Sequence, residues 1–378
     1  MLRTRVSELT GGEINVLMAY TYDGRELIRQ GVEITPRMAE KLREQKIGFV
    51  YADGPVTVSA VFDRNIISGL HKVIACFVES GGNDAEILRK YNDTEIKSFL
   101  SVNNETGKSI AYGHIMKYFA GKMYDALRGR TGIVYDFVDY RGAENYFIFH
   151  MVNVCCMCMA TAQNMGLDGA SVIDIGIGTM LYDYQMQKMD FSMKNEILKT
   201  DEMEKIKEHT VNAHRYLRSV YGIPSRSSAI ALQHHERHDG SGYPGQLKGG
   251  GILLLSRIAA VCDVYDSMVS QRQHRPAYNP EEAWDYIKIN SGVIFDPETV
   301  SVFLRTVPKY MPGDIVHLAC EKYGLVVKNN SDRPENPDII IIEKTLENDI
   351  IGMKIEKKSD AVAAEGDFQI LKTTARIR

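Results

Sequence analysis

Apolar residues recur at threes and fours along much of the chain, the periodicity of helices that bury one face. Ile66, Leu70, Val73, Ile74 and Phe77 form one stripe, and Ile115, Tyr118, Phe119 and Met123 form another. Gly81 to Asn83 and the Asn103-Asn104 pair read as the loops between such helices. The stretch from Tyr146 to Ala162 is apolar almost all round, interrupted by His150 and Asn153. Ile258, Val261, Cys262, Tyr265 and Met268 again lie at core spacing. The two ends of the chain differ. Near the start, INVLMAYTY suggests a strand, Asp23-Gly24 a hairpin turn, Thr35-Pro36 a helix start, and FVYA a short strand. Near the end, IVHLAC, GLVVK and PDIIIIE read as short strands, with a turn-rich loop at SDRPENPD. The pattern predicts a mainly α protein with a small α+β module over 1–60 and a β appendage over 331–378.

Composition narrows this reading. At 378 residues the chain exceeds the usual size of one domain, so two or three are expected. A net charge of -4 argues against a surface for a nucleic acid polymer. The N-terminus, MLRTRVSELTGGE, has no secretory signal, and Tyr146 to Ala162 falls short of a membrane span, so a cytoplasmic protein without a membrane partner is expected. The six cysteines, three of them in CCMCM, lack the spacing of a disulfide framework or zinc ribbon and read as reduced core residues. Nothing in residues 1–60 resembles a cofactor fingerprint, so docking or dimerisation is expected of that module over ligand sensing.

Candidate chemistry is concentrated in one place. Five of the ten histidines, His209, His214, His234, His235 and His238, fall within 30 residues. The last three lie in HHERHDGSGYPGQLKG, where glycines permit positive φ and close backbone approach and Pro244 fixes φ. Neutral imidazoles beside such a turn suit a divalent first-row metal. Asp263 lies embedded in an apolar helix, where a carboxylate is costly without a partner, and a metal is the expected one. His71 and His114 stand alone and read as structural or surface residues.

The histidine-rich stretch, with GGGILLLSRIAAVCDVYDSMVSQRQHRPAYNPEEAW after it, resembles the signature of HD-GYP phosphodiesterases, metal-dependent hydrolases of the bacterial second messenger cyclic di-GMP. The resemblance runs from near Tyr140 to near Asn330. It implies a helical-bundle catalytic domain over 134–330, preceded by a connector or leading helices over 61–133. Two divalent cations, iron or manganese, are implied, held by His150, Asp183, His209, His234, His235 and Asp263. Asn153, at i+3 from His150, is expected to hold that imidazole in place.

The chain departs from the family at several positions. Ile173 to Gly176 imitates the family's HDIG but falls too early; the eponymous His-Asp pair instead aligns with Tyr182 and Asp183, 32 and 33 residues after His150. Asp183 resembles the carboxylate that bridges the two metals. Tyr182 is open to three readings: a phenolate ligand to iron, a gap in the ligand set, or a space-filler. Met186 stands where the family carries a lysine, with Lys188 nearby, and Tyr146 stands where some members carry a glutamate for a third metal. His214 and His238 read as lying outside the ligand set, and Asp239 as a loop anchor. Arg272 and Arg275 match basic positions near phosphate or guanine, and Tyr243 is placed either against guanine, at a partner protein, or packed in its own loop.

The function implied is hydrolysis of cyclic di-GMP to pGpG or GMP, slowed or made atypical by Tyr182 and Met186, with Asp183 and Tyr182 at the reacting centre. The competing expectation is a degenerate domain that binds metal, nucleotide, or a partner such as a diguanylate cyclase through the GYP loop, without turnover. Hydrolysis of another cyclic dinucleotide or phosphoester is the third.

Overall fold

The computed structural model describes residues 64–80, 111–130, 146–188, 200–220, 222–270, 277–310, 314–330 and 333–342, short segments between 2 and 52, and residues within 362–376. Two compact units emerge. One comprises Met1–Ala60, Asp136–Gly142 and Val307–Arg378, and the other Val61–Tyr135 and Ala143–Thr306.

The second unit is helical. Its described helices are α1 (Arg64–Ser80), α2 (Ala111–Leu127), α3 (Tyr146–Asn164), α4 (Gly169–Met180), α5 (Thr200–Ser219), α6 (Ser225–Gln233), α7 (Leu254–Val269), α8 (Pro280–Ile289) and α9 (Pro297–Thr306). The expected stripes are the buried faces: Leu70, Val73, Ile74 and Phe77 on α1, and Ile115, Phe119 and Met123 on α2. The loops expected at 81–83 and 103–104 lie outside the described residues.

α3 is the central element. From Ile148 to Ala162 every side chain is buried, and α1, α2, α4, α7 and α9 all pack against it. A helix apolar on all sides needs neighbours on all sides. With 19 residues it reaches the length of a membrane span, two residues beyond the Tyr146–Ala162 stretch that looked too short. Burial, at 89% of its apolar window, and not length, marks it as a core helix.

Local signals set several helix ends. The Asp168 carboxylate accepts the Ser171 backbone N–H (2.7 Å) at the start of α4. Asn279, Pro280 and Glu282 make a capping box with proline at N1 for α8. Asp296 accepts the backbone N–H of Thr299 (2.9 Å) in the first turn of α9 and also pairs with Arg257 of α7 (2.9 Å).

The first unit is described mainly as strands. β1 (Leu2–Arg5), β2 (Asn15–Val16), β5 (Val32–Glu33) and β6 (Phe49–Ala52) form an antiparallel sheet in the order β1-β6-β2-β5. β3 (Ala19–Tyr20) and β4 (Glu26–Ile28) pair antiparallel, and the turn expected at Asp23-Gly24 lies outside the described residues. Of the helix expected from Thr35-Pro36, only Arg37 and Glu40 fall among the described residues, and both are helical. A five-stranded sheet, β10-β9-β8-β7-β11, joins β7 (Asp314–Leu318), β8 (Tyr323–Lys328), β9 (Asp338–Ile342), β10 (Val362–Ala363) and β11 (Ile370–Arg376) around Val316, Leu318, Val326 and Ile339. β7 and β8 therefore belong with the C-terminal strands they bond to, ahead of the boundary expected at residue 330.

Close packing of α4 on α6 depends on Gly178. A Cβ there would lie 2.5 Å from Ile230 Cδ1 and 2.6 Å from the Ser227 backbone oxygen. Gly178→Ala gains helix propensity of about 1 kcal/mol, but the backbone clash outweighs it. A net loss of about 1–3 kcal/mol is expected in denaturant unfolding; unchanged or higher stability would contradict this packing.

Candidate metal centre

Side chains from five elements meet within the helical unit. α3 supplies His150, the turn after α4 supplies Tyr182 and Asp183, α5 supplies His209, the end of α6 supplies His234 and His235, and α7 supplies Asp263. All are buried except His235, which keeps partial access to solvent.

They sort into two groups. In the first, the ligand nitrogens of His209, His234 and His235 all lie within 4.8 Å of one another, the one such convergence of histidine, cysteine and acidic groups among the described residues. Asp183 Oδ1 lies 3.3 Å from His209 Nε2. The tautomers follow from the backbone. His209 Nδ1 donates to the Ile206 carbonyl (2.5 Å) and His234 Nδ1 to the Ala231 carbonyl (2.9 Å), and a carbonyl can only accept. In neutral rings both Nε2 atoms then carry lone pairs, and they face each other at 3.3 Å. Burial and the adjacent His209 drive His234 down to about 3, and burial and His234 likewise lower His235, so these two rings are neutral. Two lone pairs held so close repel unless a cation lies between them.

The second group is closed on itself. His150 Nδ1 donates to Asp266 Oδ2 (2.7 Å), and its Nε2 lies 3.0 Å from Asp263 Oδ1 and 2.8 Å from the Tyr182 hydroxyl oxygen. That hydroxyl donates to Asp263 Oδ1 (2.7 Å). Burial opposes charge on His150, but Tyr146, Asp263 and Asp266 outweigh it and raise its pKa well above the usual range. Burial would raise Asp263 too, yet the hydrogen bond from His150 and its charge hold the carboxyl well below the ordinary value. Burial and then the charges of Asp263 and Asp183 push the Tyr182 phenol well above 10, so it stays a donor.

Asp266 is a residue that sequence reasoning missed. It steadies His150, the task expected of Asn153, whose Nδ2 makes no hydrogen bond among the described residues. The signal was present: Asp266 follows Asp263 by three positions and so shares its helix face.

The glycine-rich loop is braced by a second missed residue. Buried Glu236 accepts the backbone N–H groups of Gly245 (2.6 Å) and Leu247 (2.7 Å). Gly242 lies so close to the preceding chain that a Cβ would fall 2.4 Å from the His235 carbonyl oxygen, so only glycine fits. Asp239 anchors the loop, accepting the Ser241 N–H at 2.9 Å. The Tyr243 ring packs 4.7 Å from the His235 ring, with Lys207 Nζ 5.8 Å from its centroid.

Other expected positions fall as follows. His214 Nδ1 donates to the Ser228 carbonyl (2.8 Å), and His238 lies 3.8 Å from Asp296, both outside the histidine cluster. Asp174, in the decoy IDIG, pairs with Arg226 at 2.7 Å. Tyr146 stacks on His150 at 5.2 Å. Met186 sits in a short 3-10 helix, Tyr184–Lys188, and the Lys188 side chain lies outside the described ones. Arg272 and Arg275 lie in 271–276, outside the described residues.

Residues 145–299 match the family described as HD domain. Over 195 residues the chain is 30% identical to a cyclic di-GMP phosphodiesterase of Pseudomonas aeruginosa, covering 51% of this chain and 47% of that one. It is 36% identical over 170 residues to a cyclic di-GMP phosphodiesterase of Thermotoga maritima, covering 44% and 46% respectively. A 3'3'-cGAMP-specific phosphodiesterase of Vibrio cholerae is 28% identical over 159 residues, 41% of this chain and 30% of that one. The chain spans at most about half the length of these curated relatives. The helical unit is thus similar to an HD domain over residues 145–299, the span that holds the histidine cluster and the HHERHDGSGYP stretch.

A divalent metal fits the first group: three imidazoles and a carboxylate are donors such ions accept, and two of the imidazoles have their tautomers fixed. The second group does not fit in the same way, since His150, Tyr182, Asp263 and Asp266 already bond to one another. Of the ligands expected from the resemblance, His209, His234, His235 and Asp183 are brought together, while His150 and Asp263 lie beside them, bonded to each other and to Tyr182.

Removing the loop brace should be visible in stability. Glu236→Ala leaves two backbone N–H groups without their carboxylate and is expected to cost about 2–3 kcal/mol in denaturant unfolding. An effect below about 0.5 kcal/mol would show that the loop does not depend on this carboxylate.

Proposed function

We propose that this chain is a metal-dependent phosphodiesterase that hydrolyses cyclic di-GMP in the cytoplasm. The observation that carries the proposal is the pair of Nε2 lone pairs on His209 and His234, 3.3 Å apart beside His235 and Asp183. A divalent metal held there would lower the pKa of a coordinated water and offset charge on a phosphoryl oxygen.

The protein's own contribution is positional. His209 and His234 present fixed nitrogens because backbone carbonyls hold their other ring positions. Asp183 contributes a carboxylate at the buried side, and the partly accessible His235 marks the approach from solvent. Tyr243, packed on His235 at the rim, is available to a nucleobase, and burial keeps its phenol protonated. Lys207, beside that ring, supplies a cation for phosphate where Met186 supplies none. Arg272 and Arg275 remain proposed contacts to phosphate or guanine. Docking of a diguanylate cyclase on the GYP loop and self-association through residues 1–60 are retained as proposals for partners.

A second reading, hydrolysis of 3'3'-cGAMP, is favoured by the Vibrio cholerae relative specific for that nucleotide. Both substrates present the same bond to the metal and differ in one base, so the rim decides between them.

The test is chromatography of products after incubating metal-loaded protein with each nucleotide. Linear product from cyclic di-GMP is expected, abolished by chelation and reduced more than about 100-fold in Asp183→Ala and His235→Ala. Saturable nucleotide binding with metal bound but no product would establish a binding module instead. Faster turnover of 3'3'-cGAMP would transfer the proposal to that substrate.

A further inference from the structure

We infer that the chain holds a single metal ion, at His209, His234, His235 and Asp183, and that Tyr182, His150, Asp263 and Asp266 form a metal-free hydrogen-bonded cluster in place of a second. The inference rests on the metal-centre reading above and departs from the two cations that the family resemblance implies.

Geometry carries it. Three atoms, Tyr182 Oη, His150 Nε2 and Asp263 Oδ1, form a triangle with sides of 2.7, 2.8 and 3.0 Å. Each side is an ordinary hydrogen-bond length, and the hydroxyl proton lies along one of them. The remaining nitrogen of His150 is bonded to Asp266 at 2.7 Å. A metal entering this triangle would have to break the Tyr182–Asp263 hydrogen bond and part three buried groups that already lie at hydrogen-bond distance. The His209 cluster has the opposite character. In the two rings that face each other, Nδ1 is bonded to a backbone carbonyl and the Nε2 atoms converge at 3.3 Å.

The hydroxyl thus ties the cluster together, bonded to Asp263 and at hydrogen-bond distance from His150. In addition, the Tyr182 ring meets the His234 ring edge-on, with centroids 4.7 Å apart, and the next residue is Asp183. Tyr182 therefore acts as a positioning residue for the single site, fixing one ligand by packing and another by adjacency.

Elemental analysis of the full chain, purified anaerobically and reconstituted with manganese or iron, reads this directly. One equivalent per chain is expected, lost in His235→Ala and kept in Tyr182→Phe, which preserves the ring and removes only the hydroxyl. Ferric protein should lack the visible charge-transfer band of a phenolate–iron bond. Two equivalents in the natural chain, loss of the metal in Tyr182→Phe, or a phenolate band would each overturn the inference while leaving a metal-dependent hydrolase intact. A chain that binds no metal under any of these conditions would overturn the hydrolase reading itself, and this inference with it.

Discussion

Two imidazole nitrogens held 3.3 Å apart, on rings whose other nitrogens are bonded to backbone carbonyls, are the constraint on which the site depends. A backbone carbonyl accepts but never donates, so the bonds from His209 to Ile206 and from His234 to Ala231 fix both rings in one tautomer. Each of these bonds is internal to its own helix, i to i−3, so α5 and α6 carry ligands already oriented before they meet. What remains is to bring the helices together. That is a packing problem, and the rest of the helical unit addresses it.

α3 supplies the common surface. Because it is apolar on every side, it can be buried only by surrounding it, and the helices that do so include α4 and α7, which lead to Asp183 and carry Asp263. Gly178 lets α4 approach α6 at backbone distance, which brings the turn bearing Tyr182 and Asp183 up to the end of α6 where His234 begins. Glu236 then folds the glycine-rich segment back by binding its N–H groups, placing Tyr243 over His235. The same hydrophobic burial that stabilises the bundle therefore sets the positions of polar groups that gain little from burial themselves.

The two halves of the site illustrate how one substitution changes the character of a polar cluster. Both contain histidine and aspartate in a buried setting. In the half with Tyr182, a hydroxyl can donate to a carboxylate, and the group closes into hydrogen bonds. In the half without it, His209 and His234 have their Nδ1 donors committed to the backbone, and their Nε2 atoms face each other. Of the two arrangements, the second offers the donor set that a divalent metal would accept.

Much of this was legible in the linear chain. Periodicity located α1 and α2 and their buried faces, alternation and turn residues pointed to the terminal strands, and the crowding of histidines with a glycine-rich turn pointed to the cluster of His209, His234 and His235. The apolar Tyr146 to Ala162 stretch was visible as a segment but not as the hub, since a run of apolar residues reads alike whether five helices or a lipid bilayer will cover it. Local sequence determined tautomers and helix ends, because those bonds span three or four residues. Only the tertiary structure decided which polar groups meet across more than a hundred residues: that Asp266 and not Asn153 steadies His150, and that Tyr182 reaches Asp263. Such pairings arise from the angles at which helices pack, and no spacing within one segment encodes them.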